Sequence, residues 1–170
     1  VYSGAGVSSD KFSPETAGSN THSVTYIYSD GNSCADTGIA TIKVNALPSV
    51  VFVLRSDQVC SDQGPFLISG GLPAVLAPSV GVYSGKGVTM GTTFTPSSID
   101  TGTFTLTYTF TDTNGCTNSY SDDITINPKP VVTFSAIDAV CIDKSPFALS
   151  GGSPLGGKYT GTGVTSNEFD

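Results

Sequence analysis

The chain has 170 residues, a formal net charge of −7 and a pI near 4.3, with only seven Lys and Arg, which argues against nucleic acid as a partner because phosphate binding needs clustered cations. With 12 % charged and 38 % hydrophobic residues, 20 Gly, 10 Pro and no Trp, it is turn-rich, and its Val, Ile, Thr, Tyr and Phe predict an all-β fold. No apolar run reaches the roughly 18 to 20 residues that a membrane-spanning helix requires.

Read in chain order, Val1-Tyr2-Ser3-Gly4-Ala5-Gly6-Val7 opens the sequence, followed by Phe12-Ser13-Pro14. Alternation then predicts a strand at Ser23 to Ser29 with Val24, Tyr26 and Tyr28 on one face, a turn at Asp30-Gly31-Asn32-Ser33, and a second strand from Ile39 to Val44, together a β-hairpin. Asn45-Ala46-Leu47-Pro48 is a proline-marked break. Strands follow near Val50 to Leu54, Phe66 to Ser69, Val80 to Ser84 and Thr92 to Thr95. A longer one, Thr103 to Thr111, places Phe104, Leu106, Tyr108 and Phe110 inward and threonines outward. A turn at Asp112-Thr113-Asn114-Gly115 and a strand at Ser121 to Ile126 complete the second hairpin. Asn127-Pro128-Lys129-Pro130 is a second break, with a fresh strand at Val131 to Phe134.

The opening motif returns as Val82-Tyr83-Ser84-Gly85-Lys86-Gly87-Val88 and again as Lys158-Tyr159-Thr160-Gly161-Thr162-Gly163-Val164, so its tyrosines stand 81 and then 76 residues apart. Phe94-Thr95-Pro96 answers Phe12-Ser13-Pro14, and Cys116 and Cys141 answer Cys34 and Cys60. A period of about 81 residues exceeds that of solenoid repeats and predicts units with separate cores. The third copy lacks five residues after Gly151-Gly152-Ser153-Pro154, which predicts that the Gly-Gly-x-Pro stretch is a loop. The expected units are residues 1–47, the C-terminal part of one; 48–128, a complete antiparallel Greek-key β-sandwich; and 129–170, the N-terminal part of a third. Residue 1 already lies inside a repeat, so the expectation is a segment of a longer array. Half-sandwiches expose core faces and open edges, which neighbouring copies in a fibre, a swapped strand or further chain would have to cover.

Two cysteines per unit in a small β-domain predict disulfides and an oxidising compartment. Three pairings are open. The favoured one joins Cys60 to Cys116 within the complete unit and leaves Cys34 and Cys141 to partners outside the segment. A second joins the first-turn cysteine of one unit to the hairpin cysteine of the next. The third joins Cys34 to Cys60 and Cys116 to Cys141. A zinc site is disfavoured, because no Cys-x-x-Cys occurs and His22 is the only histidine.

No catalytic residue is expected, since no spacing of Ser, His22 and Asp identifies a nucleophile, base and orienting acid. Calcium is a minor expectation at Asp112-Thr113-Asn114-Gly115, at Asp122-Asp123, or at Asp57 and Asp62 beside the junction, weighed against the ordinary use of Asp, Asn and Gly in turns. Gly85-Lys86-Gly87 lacks the context of a phosphate loop and predicts a kinked strand or bulge. Tyr2, Tyr83 and Tyr159 recur with the repeat and are expected to pack structurally.

The ordered series in Gly81 to Val88, Phe94 to Pro96, Thr107 to Cys116 and Ile124 to Pro128 resembles the immunoglobulin-like, PKD-like repeats of large secreted surface proteins of Bacteroidota. The first copy departs from it, with Asp30-Gly31-Asn32-Ser33-Cys34 in place of Asp-x-Asn-Gly-Cys. The resemblance implies export by the type IX route, exposure at the cell surface, and a place in adhesin-like or gliding-associated proteins, with no catalytic residues to carry over. The expected function is a stalk or filament repeat. The alternatives are a module that binds glycan or protein through loops such as Leu72 to Gly81, and an accessory stretch of a secreted enzyme.

Overall fold

The computed structural model describes all 170 residues. Strands make up 43 % of the chain and helix 4 %, so the fold is all-β, built of several antiparallel sheets of the β-sandwich class. The strands of the first segment are β1 (Tyr2–Ser3), β2 (Val7–Ser8), β3 (Lys11–Phe12), β4 (Thr21–Ser29) and β5 (Ala35–Lys43). The middle segment carries β6 (Val51–Phe52), β7 (Gln58–Cys60), β8 (Phe66–Leu67), β9 (Gly71–Leu72), β10 (Val80–Ser84), β11 (Val88–Thr89), β12 (Thr93–Phe94), β13 (Gly102–Thr111) and β14 (Thr117–Asn127). Five short strands follow: β15 (Thr133–Phe134), β16 (Phe147–Ala148), β17 (Gly152–Ser153), β18 (Val164–Thr165) and β19 (Glu168–Phe169).

The middle segment sets the pattern. Its main sheet runs β10-β13-β14-β7, with β6-β9 and β11-β12-β8 beside it. Every pairing is antiparallel except β14 with β7, which is parallel, so the expected wholly antiparallel sandwich is corrected at one edge. β7 escaped prediction because Gln58–Cys60 is too short to show alternation. Gly71–Leu72 also corrects the expectation of a loop: it is a strand paired with Val51–Phe52, and only the residues after it vary in length between copies.

The other segments repeat parts of this pattern at equivalent residues. β1-β4-β5 has the order of β10-β13-β14, and Tyr2 faces Tyr26 as Tyr83 faces Tyr108. Val7 pairs with Phe12 as Val88 does with Phe94. At the other end, β15-β17 matches β6-β9 and β16-β19-β18 matches β8-β12-β11. Pro14–Ala17 forms one helical turn, with Ser13 accepting from the Thr16 N–H and Pro14 opening it; Pro96–Ser98 forms a 3-10 turn at the corresponding place.

One buried cluster joins Val50, Phe52, Val59, Ile68, Phe94, Leu106, Tyr108, Phe110, Ile124 and Ile126, all in the middle segment. The alternation read in Thr103 to Thr111 is observed: Leu106, Tyr108 and Phe110 are buried, and Phe104 packs at their margin. Their neighbours form a cross-strand ladder on the outer face, with hydroxyl contacts Thr103–Thr125 at 3.0 Å, Thr107–Ser121 at 2.9 Å and Thr111–Thr117 at 2.9 Å. Such pairs hold register without needing burial.

The Tyr108 ring rests on a glycine. A Cβ at Gly71 would lie 2.6 Å from that ring, so the sheets approach this closely only where a side chain is missing. We expect Leu106→Ala to cost about 2–5 kcal/mol through lost contacts and a residual cavity. Gly71→Val should destabilise the same core by overpacking. Urea unfolding of the chain followed by near-ultraviolet dichroism checks both, and unchanged midpoints would refute the packing described.

Candidate functional site

The hairpin turn at Asp112 is a sequence-dictated lock. The Asp112 carboxylate accepts the N–H groups of Asn114 and Cys116, each at 2.9 Å, and its carbonyl accepts the Gly115 N–H at 3.1 Å. Gly115 is left-handed at φ 80°, as a three-residue hairpin loop with a glycine bulge requires. The first copy builds the same lock around Asp30, with 2.9 and 2.8 Å bonds from Asn32 and Cys34, but Ser33 must take the left-handed conformation at φ 67°. Partial desolvation pushes the Asp112 carboxyl up, yet the Cys116, Asn114 and Gly115 donors together hold it below the usual 3.8. The Cys34 and Asn32 amides do the same for Asp30.

The other acidic residues weighed for calcium, apart from the carboxylate of Asp57, also have partners within the chain. Asp122 accepts the Leu54 N–H at 2.8 Å, Asp123 accepts the Thr105 hydroxyl at 2.7 Å, and Asp62 pairs with Lys129 at 2.8 Å, which lowers Asp62 and raises Lys129. Asp57 contributes its carbonyl to the Thr125 N–H. No three His, Cys, Asp or Glu gather into a metal-binding group. His22 donates through Nε2 to the Gly18 carbonyl at 2.8 Å, closing the end of the short helical turn.

Gly85-Lys86-Gly87 is the link between β10 and β11. Both glycines have positive φ, and a Cβ at Gly85 would lie 2.7 Å from Leu106. Lys86 lies over the Phe104 ring and 3.7 Å from Asp100. The motif is a tight turn, with the Val88 N–H donating to the Gly85 carbonyl at 3.2 Å, in place of the expected kinked strand or bulge, and it packs the link onto the core.

The recurrent tyrosines form the most consistent constellation. Tyr83 stacks on Tyr108 with ring centroids 4.8 Å apart, and Tyr2 stacks on Tyr26 at the same 4.8 Å. The Gly71 N–H donates to the Tyr83 hydroxyl oxygen at 3.0 Å, and the Gly152 N–H donates to that of Tyr159 at 3.0 Å. Phe52 lies beside Tyr83 at 5.3 Å, as Phe134 lies beside Tyr159 at 5.4 Å. The Tyr108 hydroxyl donates to the Pro73 carbonyl, and burial, with the neighbouring Tyr83, raises its pKa.

All four thiols are free. The Cys60–Cys116 pairing is corrected by topology. Cys60 stands opposite Asn127 at the end of β14, whereas Cys116 immediately precedes its start. The 11 residues of β14 separate them by ~35 Å at about 3.3 Å per residue, and a disulfide needs Cα atoms within about 7 Å. The two thiols face successive junctions. Cys60 lies where Ser61 accepts the Lys129 N–H, and Cys116 lies near Asn118, whose amide donates to the Pro48 carbonyl at 2.9 Å.

Two surfaces remain open. The loop after β9 exposes Val75 and Leu76. Residues 130–169 form an apolar-lined groove of about 1010 Å³, whose walls include Val132, Phe134, Ile137, Leu149, Tyr159 and Phe169. No protein-family model matches the chain, and no curated protein matches it. No helix is long and apolar enough to cross a membrane.

The carboxylate locks make a signed prediction. Because the folded pKa values are depressed, their stabilisation is complete above about pH 5 and is lost as pH falls through the unfolded and then the folded values. Asp112→Asn should flatten the loss of thermal stability between pH 5 and about pH 2; an unchanged pH profile would rule out the lock. Ser33→Gly should stabilise the first hairpin by about 1 kcal/mol by removing a left-handed serine, read as slower amide exchange across β4 and β5.

Proposed function

We propose that the chain is a stretch of tandem immunoglobulin-like units, meeting at residues 47/48 and 128/129, that serves as a non-enzymatic spacer in an extracellular adhesin stalk or surface filament. The observation that carries this reading is the recurrence of one packing device, a tyrosine held by a glycine N–H or stacked on a hairpin tyrosine, in all three segments. Residues conserved between units serve packing and turns, while the acidic and hydroxyl groups are spent on backbone locks and cross-strand ladders. The Lys129–Asp62 pair and the Lys129 N–H to Ser61 bond brace the second junction, in keeping with a stiff connection. The resemblance to repeats of secreted Bacteroidota surface proteins supplies the cell-surface setting.

A second reading is favoured by the apolar loop after β9: Val75 and Leu76 stand in solvent where a spacer gains nothing from them. In that reading the loop takes a glycan or protein ligand. The two separate in one binding experiment. Screened against a glycan array and extracellular-matrix proteins, a spacer shows no saturable binding, whereas saturable binding abolished by Leu76→Asp would replace the spacer with the binding module. For the location, antibody against the chain should label intact source cells without permeabilisation; labelling only after permeabilisation would end the surface assignment.

A further inference from the structure

We propose that the chain pairs side by side with a second copy of itself, through the outer aliphatic face that β6, β8 and β9 form on the middle segment. The proposal uses the equivalence of the units and goes beyond the spacer reading. Alternation sets the face. Phe52 is buried, so Val51 and Val53 point away from the core; Leu67 stands between Phe66, which packs on the core, and buried Ile68; Leu72 follows Gly71, the floor beneath Tyr108. Val51, Val53, Leu67 and Leu72 are 45, 62, 73 and 56 % exposed with the flanking segments in place. They are neighbours: Val51 pairs with Leu72, the Val53 N–H donates to the Gly70 carbonyl, and Leu67 precedes Gly70 on the same run of chain. The repeat itself does not require this face. Thr133–Phe134 pairs with Gly152–Ser153 as Val51–Phe52 pairs with Gly71–Leu72, and Phe147 pairs with Phe169 as Phe66 does with Phe94, so the equivalent residues of the third segment are Thr133, Ser135, Ala148 and Ser153. Beside Leu67 stands Thr93, where the third segment has Glu168 and the first has Lys11. One sandwich thus carries aliphatic side chains and no charge where strands of the same build carry hydroxyls and charges, and an apolar face that the fold does not need marks a contact.

A second copy is the occupant these features select. Small ligands take concave sites, whereas the outer face of a sheet is flat and packs on another sheet of the same pleat. Each copy has a formal net charge of −7, and this charge-free patch lets two acidic chains meet without opposing carboxylates. A basic partner would be drawn instead to the carboxylates that the patch lacks. The area is sufficient. Val75 and Leu76, 52 and 76 % exposed, extend the face in the loop that leaves β9 at Leu72. At about 100 Å² for a whole aliphatic side chain, the six residues offer roughly 400 Å² of apolar surface per copy. That is close to the apolar share of the about 800 Å² per partner that a standard interface buries. Because the same patch serves both partners, the contact is two-fold and closes at the dimer.

The test is sedimentation velocity of the 170-residue chain under reducing conditions across a concentration series, expected to give a monomer–dimer equilibrium that goes no further. A variant carrying Val51→Thr, Val53→Ser, Leu67→Ala and Leu72→Ser takes the residues that the third segment already holds at these places. It should weaken dimerisation by about a hundredfold or more, while circular dichroism keeps the thermal transition of the middle segment. Should the fourfold variant lose that transition, the single change Leu67→Glu, which lies outside the core, decides: it should weaken the dimer by about tenfold or more with the fold intact. A chain that stays monomeric at every concentration, association that runs past the dimer, or a dimer indifferent to these variants overturns the proposal. So does saturable binding of a glycan or matrix protein by a monomeric chain when the fourfold variant abolishes it, since the face then belongs to that ligand. A monomer that binds nothing leaves the spacer reading standing, so the two failures are distinct.

Discussion

The structure depends on a close approach between two sheets that only a missing side chain allows. Tyr108 lies flat over Gly71, stacks on Tyr83 and sends its hydroxyl to Pro73, so one residue couples β13, β9, β10 and the loop beyond. Around it the hydrophobic cluster closes, burying ten apolar side chains and leaving no buried side-chain polar atom without a partner. The polar groups at the margin of the core do backbone work: Asp122 on Leu54, Asn118 on Pro48, Asp112 on its own turn. These named side chains hold the backbone in place.

That arrangement explains what was legible in the sequence. The all-β class, the hairpins and the inward face of Thr103 to Thr111 were written in alternation, because a half-buried strand imposes period two on its residues. The recurring tyrosine was visible as a motif, but its reason was not: the glycine beneath Tyr108 lies 37 positions away, and nothing local marks Gly71 as a floor rather than a loop residue. β7 and β9 were missed for a similar cause. Strands of two or three residues have no period to read, and a parallel edge such as β7 on β14 is created by the sheet it joins.

The cysteines show the limit most sharply. Their spacing within one unit invited a Cys60–Cys116 bond, since sequence proximity within a unit is the natural prior for small disulfide-rich domains. The strand order removes it by setting the two thiols at opposite ends of the longest strand. The serine at position 33 is the reverse case: the sequence flagged a departure from the glycine at 115, and the backbone adopts the same left-handed turn regardless, held by the shared Asp lock. There the carboxylate, and not the glycine, is the indispensable element.

The parallel edge has a mechanical consequence. Gln58, Val59 and Cys60, near the beginning of the middle segment, lie alongside Thr125, Ile126 and Asn127 at its end and point the same way. Tension applied through the two junctions pulls these strands lengthwise past each other, so their hydrogen bonds are strained together in shear instead of being unzipped one at a time.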